Sequence, residues 1–487
     1  MELNNLPNEV LSNIFSHLLT DLQKHRLHND FIVDIWPVRL VCRKWNDLAT
    51  KQLFQTLTLY HTEETVEESW SSWQHLLDSS AIRAAVRRVA IESTPWEDLS
   101  GREASVWEPW AEKGEWPDFT SAIDRICDLP HLTTLEVRFS YHCVGRHGDQ
   151  SDPERESSVT RQQTLKSVLR AMRQRAARPN MSVINELVLV YLQNTPLPKN
   201  LTDGLFENIE RLHIFTAFEV REPPEDDTRL VELHEYEPYM QNILIPPIAE
   251  QLVELTLTSP NCWGAVPGEF NGKGLHFPRL KTLTLARYVI AHRDQFDWVL
   301  AQESLTSLAM HSCAIGSHIL VRQPEFAYWG VDSRDWIWAQ DPPDDEYDED
   351  DEEDEYRRTA ISYTIRPEDH ALAPGFYTHY LRWETVFDSI GRRLPHLQHF
   401  NFTKEQWWEY FRQDRHVNCE ALVNRYLGFC GFWGELWAYE LNKCNFVEEN
   451  HPGTPNELLA LTEEADRRAF ESLLHKTTER RRTGRSA

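Results

Sequence analysis

Apolar residues in the first fifty positions recur at helical spacing. Val10, Leu11, Ile14, Phe15 and Leu18 fall on one face of a segment that opens Leu6-Pro7-Asn8-Glu9, and Val38, Val41, Trp45 and Leu48 repeat the pattern after Pro37. Spacings of three, four and seven predict two amphipathic helices. Pro7 and Pro37 suit a first helical position, where a missing N–H costs nothing and a fixed φ helps. Glu9 then meets the positive end of the helix dipole. A bundle this small buries too little surface to be stable on its own terms. Its surplus apolar positions therefore predict a partner surface.

Leu6-Pro7 and the run Val41-Cys42-Arg43-Lys44-Trp45 carry a family likeness. Residues 3–60 resemble an F-box, the helical module that docks a protein onto the Skp-type adaptor of an SCF ubiquitin ligase. The resemblance implies that Leu6, Pro7, Val10, Ile14, Leu18, Val41 and Trp45 bury against that adaptor, and that a cullin-RING ligase is reached through it. The segment between Leu18 and Val38 is longer than the family pattern, so His25 to Asp34 is expected to loop out. Read from the residues alone, the same segment could be a helical cap on a larger domain.

Beyond residue 80 a second pattern takes over, apolar-x-x-apolar-x-apolar. It appears as Val86-Val89-Ile91, Leu132-Leu135-Val137, Ile184-Leu187-Leu189, Ile209-Leu212-Ile214, Leu252-Leu255-Leu257, Leu280-Leu283-Leu285, Leu305-Leu308-Met310 and Leu397-Phe400-Phe402. Its closing alternation predicts a strand. Helical stretches are expected at Thr164 to Ala177, Gln295 to Ala301 and Tyr380 to Leu394. Strand and helix in alternation resemble a divergent leucine-rich-repeat array. Steps from Leu187 to Leu212, Leu255 to Leu283 and Leu283 to Leu308 are 25, 28 and 25 residues, within that family's range. The longer steps require insertions, and an α/β domain with unrelated buried strands is the alternative. The resemblance implies that side chains between the buried positions line a concave binding face. Arg138, His213, Arg287 and His311 are the substrate-binding candidates, with Glu136, Glu186, Thr256, Thr258 and Thr284 beside them.

Composition narrows the class. The net charge is −27, from 77 acidic and 50 basic residues, which argues against nucleic-acid binding. Twelve of the fifteen residues from Asp341 to Glu355 are acidic. Such a run repels itself and is expected to be a disordered loop or linker, or a bait for a basic partner. A mean hydropathy of −0.55 and no long apolar run predict no membrane span. Eight cysteines, none in a Cys-x-x-Cys spacing, fit a reducing compartment, cytoplasmic or nuclear. After the acidic run the chain turns aromatic. Tyr426, Phe429, Trp433 and Trp437 have helical spacing and are expected in a core, Leu458 to Leu474 reads as a last helix, and Arg480 to Arg482 as a frayed basic tail.

Candidate chemistry is sparse. The glycines of Gly268-Glu-Phe-Asn-Gly272-Lys273-Gly274 are spaced too closely for a phosphate loop, and no Ser or Thr follows to hold magnesium, so an exposed turn is expected. Cys127, His131, His142, Cys143 and His147 hold zinc-type donors at a spacing that fits no common finger. No metalloprotease, nucleophile-elbow or kinase motif occurs. The resulting expectation is an α/β chain. An all-α F-box bundle (1–60) precedes an irregular leucine-rich-repeat solenoid of parallel strands with helices (80–325). An acidic linker (340–358), a last repeat with an aromatic region (360–475) and a basic tail (476–487) follow. It is a substrate receptor with no cofactor, no metal and no catalytic residues, binding an adaptor and a protein substrate but neither nucleic acid nor membrane. The alternatives are a repeat scaffold unconnected with ubiquitin and an unrecognised hydrolase.

Overall fold

The structure is a computed structural model. It describes residues 6–24, 35–60, 66–93, 116–141, 143–144, 156–217, 231–265, 268–321, 335–340, 375–404, 422, 425–432, 435–440 and 455–484. The chain divides into two compact units, the first mainly Met1–Gln193 with Leu197–Val220, the second mainly Arg221–Lys404 with Asn418–Ala487. The expected looped-out segment His25 to Asp34 and the acidic run both lie outside the described residues.

In the first unit three helices, α1 (Asn8–Lys24), α2 (Ile35–Val38) and α3 (Arg43–Leu53), lead into a parallel sheet. Its strands are β1 (Thr56–Leu59), β2 (Arg88–Glu92), β3 (Thr134–Arg138), β6 (Glu186–Gln193) and β7 (Arg211–Ala217), paired in that order. A two-residue parallel bridge, β4 (Cys143–Val144) with β5 (Glu156–Ser157), stands apart. Parallel neighbours need long crossovers, and helices supply most of them. On the inner face Leu57, Val89, Leu135, Leu187 and Leu212 form one buried row, and Leu59, Ile91, Val137, Leu189 and Ile214 the next. The six-residue pattern thus marks parallel strands. Phe54-Leu57-Leu59 adds one more match, upstream of those found in the sequence.

One backbone device recurs at the starts of β2, β3, β6 and β7. The Gln55 carbonyl accepts the N–H groups of Arg87 and Arg88 at 2.8 and 3.0 Å. Arg87 does the same for Thr133 and Thr134, Thr133 for Asn185 and Glu186, and Asn185 for Glu210 and Arg211. The accepting residue is the second of the six-residue pattern. Both N–H groups at each crossover are thereby satisfied inside the protein, as burial demands.

The second unit repeats the device, with Val253 holding Lys281 and Thr282, Lys281 holding Thr306 and Ser307, and Thr306 holding Gln398 and His399. Its parallel strands are β8 (Glu254–Trp263), β9 (Thr282–Ile290), β10 (Ser307–His311) and β14 (His399–Thr403). The end of β9 also pairs with β11 (Ala314–Val321). Strand β11 in turn carries antiparallel β13 (Gly375–Thr378), itself paired with β12 (Ile337–Gln340), and parallel β15 (Tyr426–Phe432) with its antiparallel neighbour β16 (Glu435–Glu440). Among the described residues, the long step from Leu308 to Phe400 holds β11, β12, β13 and helix Trp383–Arg393.

Several expectations need correcting. Tyr426, Phe429, Trp433 and Trp437 do not share a helix: Tyr426 and Phe429 lie on β15, Trp437 on β16, and Trp433 falls outside the described residues. Gly428 and Gly431 interrupt the span and disfavour helix there. The last helix runs from Pro455 to Gly484, so the basic tail is mostly ordered helix. Arg480 donates to the carbonyls of Leu394 and Gly391, both at 2.8 Å, completing the end of helix Trp383–Arg393. The stretch Gln295 to Ala301 holds only a single helical turn, Asp297–Leu300. The glycine-rich turn is anchored: Gln241 Oε1 accepts the N–H groups of Asn271 and Gly272, and Phe270 is buried.

Tyr191, Arg287 and Ser312 adopt left-handed backbone angles, with φ of 57°, 57° and 51°. Each stands two residues after the last apolar residue of its six-residue pattern. The extra residue is a bulge on β6, where Val190 pairs with Phe215 and Leu192 with Thr216. The bulge returns the next side chain to the interior, and Leu192, Tyr288 and Cys313 are all buried.

Candidate functional site

The N-terminal helices sort their apolar residues onto two sides. Leu11, Phe15 and Ala49 are buried, with Leu6, Val38, Trp45, Leu48 and Leu53 packed around them. The Phe15 and Trp45 rings meet edge to face at 5.3 Å. Lys44 Nζ donates to the Leu6 carbonyl at 2.9 Å, and Gln52 Nε2 to Ser12 Oγ at 2.6 Å, which ties α3 to α1.

Val10 and Ile14, one turn apart on α1, point away from that core and are each 41% exposed. Val41 is 55% and Leu40 87% exposed, in the turn between α2 and α3. That turn is closed by Leu40 N–H to the Pro37 carbonyl and Val41 N–H to the Val38 carbonyl. The residues implied by family resemblance therefore separate. Pro7, Val10, Ile14 and Val41 face outward, while Leu6 and Trp45 are half-buried within the head. The Leu18 side chain lies outside the described residues. Leu40, the most exposed of these apolar side chains, was missed because the helical stripe of Val38, Val41 and Trp45 passes it by.

The strand candidates are more enclosed than an open concave face requires. On the outer face of the first unit, register places Arg88, Thr134, Glu186 and Arg211 in one row. Ala90, Glu136, Val188 and His213 form the next, and Glu92, Arg138, Val190 and Phe215 the third. Arg138 is clasped by Glu92 at 2.9 Å and Glu136 at 2.5 Å. Burial works against its charge, yet the two carboxylates outweigh it and hold the guanidinium above its ordinary range. Glu136 also takes Arg88 at 2.5 Å, and Glu186 takes Arg211 at 3.0 Å. Burial drives His213 down to about 4, against the pull of Glu186. Val188, Val190 and Phe215 form a buried apolar patch with Tyr191 on this face.

In the second unit the corresponding rows are mostly polar. Thr256, Thr284, Ala309 and Asn401 align, then Thr258, Ala286, His311 and Thr403. His311 is buried, with Nδ1 2.7 Å from Thr403 Oγ1, and burial pushes its imidazole down to about 4. Thr256 and Thr284 are buried as well. Arg287 is half-buried in its left-handed bulge, and its Nε has no hydrogen-bond partner. Periodicity identified which face these residues occupy. Their expected exposure is corrected by the structure.

The cysteine and histidine cluster does not assemble as a donor set among the described residues. The Cys127 thiol donates to the Ala171 carbonyl, and Cys143 is buried. His142 and His147 lie outside the described residues. Also among the described residues, no helix is long and apolar enough to cross a membrane.

Residues 3–60 match the family described as F-box-like. No curated protein matches the chain.

Proposed function

We propose that this chain is the substrate-recognition subunit of an SCF-type ubiquitin ligase. The F-box-like head docks onto a Skp-type adaptor through Val10, Ile14, Leu40 and Val41, with Pro7 beside them. The strand-bearing remainder, read as a divergent leucine-rich-repeat solenoid, binds the protein substrate. The supporting observation is the outward apolar set on a head whose own core is already filled by Leu11, Phe15, Trp45 and Ala49. Catalysis in this reading is proximity: the assembly raises the effective concentration of substrate lysines near a charged conjugating enzyme. The chain contributes no nucleophile of its own.

A second reading has a specific observation in its favour. The hydrogen-bond ladder begins at Gln55, directly after α3, so the head could serve as the cap of a scaffold unconnected with ubiquitin. Co-expression with a Skp-type adaptor separates the two. Val10→Asp with Ile14→Asp removes two anchors and places charge at the contact, which costs about 3 kcal/mol or more, a hundred-fold or greater loss of affinity. Both positions are solvent-facing, so the variant stays folded. Wild-type co-purification that the double variant abolishes supports the receptor. A soluble wild type that never retains the adaptor leaves the scaffold.

A further inference from the structure

The basic run Arg480-Arg481-Arg482 is followed by Thr483, and the helix that carries all four ends at Gly484. Leu473 and Thr477 are buried on the inner side of that helix, and Arg480 continues the same face. Its guanidinium reaches the end of helix Trp383–Arg393, where it donates to the Gly391 and Leu394 carbonyls at 2.8 Å and to the Leu397 carbonyl at 3.5 Å. A helix end leaves such carbonyls without partners of its own. Arg480 is therefore a clamp between the last turns of two helices. Arg481 is half-buried, while Arg482 and Thr483 are exposed.

Thr483 stands one turn beyond the clamp. Its hydroxyl hydrogen is shared between the Glu479 carbonyl at 3.1 Å and the Arg480 carbonyl at 3.0 Å. An exposed hydroxyl that follows arginines by two and three residues is what an acid-lined kinase cleft grips through charge-assisted hydrogen bonds. Phosphate on that oxygen conflicts with the packed turn in two ways. It removes the donor and sets acceptor oxygens against the two carbonyls. It also places about two negative charges at the negative end of a helix dipole. Arg480, three residues back, is within helical reach to relieve that charge. Turning to the phosphate draws it off the Gly391 and Leu394 carbonyls.

We propose that Thr483 is the acceptor of an arginine-directed protein kinase, and that its phosphorylation releases the last turn of this helix from helix Trp383–Arg393. In the transfer the Thr483 Oγ forms a bond to the γ-phosphorus of ATP. The bond from that phosphorus to the bridging oxygen breaks, ADP leaves with the electron pair, and the hydroxyl proton passes to a carboxylate of the kinase. The kinase has to draw Arg480 out of its clamp to read it. The packed turn thus resists the enzyme, and the phosphate, once placed, keeps the turn open. The switch works whether or not the head docks an adaptor.

The test treats the full chain with ATP and the catalytic subunit of the cyclic-AMP-dependent kinase, and locates phosphate by fragment mass spectrometry. Wild type is expected to carry phosphate on Thr483, and Thr483→Val to carry none at that position. Arg481→Gln should be modified about tenfold more slowly, for the loss of one charge-assisted contact. Hydrogen exchange reads the consequence: amides of residues 389–398 and 477–484 should exchange several-fold faster in the phosphorylated protein than in Thr483→Val treated in the same way. Phosphate found only on other hydroxyls, Ser486 among them, overturns the proposal, as does no phosphate at all or an undiminished rate in Arg481→Gln. Modification of Thr483 with unchanged exchange across residues 389–398 overturns the release, and the switch with it.

Discussion

Asp466 on the C-terminal helix is the most exacting test of how the second unit is held together. Its side chain is fully buried, at 0% exposure. One carboxylate oxygen accepts Arg425 Nε at 2.7 Å and the Tyr426 hydroxyl at 2.9 Å, and the other accepts the Glu384 N–H at 2.8 Å. That N–H is in the first turn of helix Trp383–Arg393, so the carboxylate also meets the positive end of a dipole. Arg425 is buried too, and its remaining donors go to the Leu422 and Leu459 carbonyls and Thr462 Oγ1. Asp466→Ala would leave a guanidinium buried without its counter-charge, which costs about 3–5 kcal/mol. For a body of this size that lowers the unfolding midpoint by about 6–20 °C. Differential scanning calorimetry of the full chain measures it, with adaptor co-purification as the control that the head is untouched. Arg425→Met should be similarly harmful alone, and the double variant should cost clearly less than the sum. A loss below 1 kcal/mol, or strict additivity, refutes the account of a coupled buried pair.

Two pH dependences follow from buried groups. Burial raises the Glu237 carboxyl from 4.5 to about 8, with Oε2 unpartnered. The folded form therefore keeps a proton that the unfolded chain has lost. Stability falls as pH rises through that window, by about 1.4 kcal/mol per unit, and levels off above it. Urea unfolding between pH 6.5 and 8 should show the slope in wild type and its absence in Glu237→Gln; equal slopes would discard the assignment. Burial lowers His311 and His379 from 6.5 to about 4, and both ring nitrogens of His379 lack partners. Their contribution has the opposite sign, intact above pH 6.5 and lost as pH falls toward 4. Proton titrations of the imidazoles by NMR check it, and ordinary midpoints near 6.5 would contradict the burial.

Much of the strand framework was legible because its cause is local. An apolar residue, two free positions and an alternating apolar pair describe a buried crossover end followed by a strand with one face inward. The pattern located strands in both units. Phe54-Leu57-Leu59 escaped because the helical stripe of the head had already claimed its neighbourhood. The region around Tyr426 failed for a different reason: spacings of three and four are also produced by aromatic residues on two paired strands. Its glycines were the signal that could have decided the matter. The left-handed residues Tyr191, Arg287 and Ser312 had no signal at all, because none is a glycine. Their strain, of order 1 kcal/mol or more each, is carried by the surrounding ladder.

The site was legible to a different depth in each unit. In the head, family-shaped residues and helical spacing named Val10, Ile14 and Val41, which face outward, yet spacing alone could not divide Val10 and Ile14 from Leu11 and Phe15. A stripe wide enough for two faces looks the same before the second helix is placed. On the strands, alternation assigned Arg138, His213 and His311 to the outer face, but facing away from the helix layer is not the same as facing solvent. Whether an outer position is open depends on charges supplied by neighbouring strands. Glu92, Glu136 and Arg138 come from two strands that start 46 residues apart, Arg88 and Thr134 being in register. Such a network is set by register, and register is invisible in any one segment. This is why the head carries the functional argument here: its outward residues need no distant partner to be identified, and a surface charge at Val10 or Ile14 tests them without disturbing the sheet.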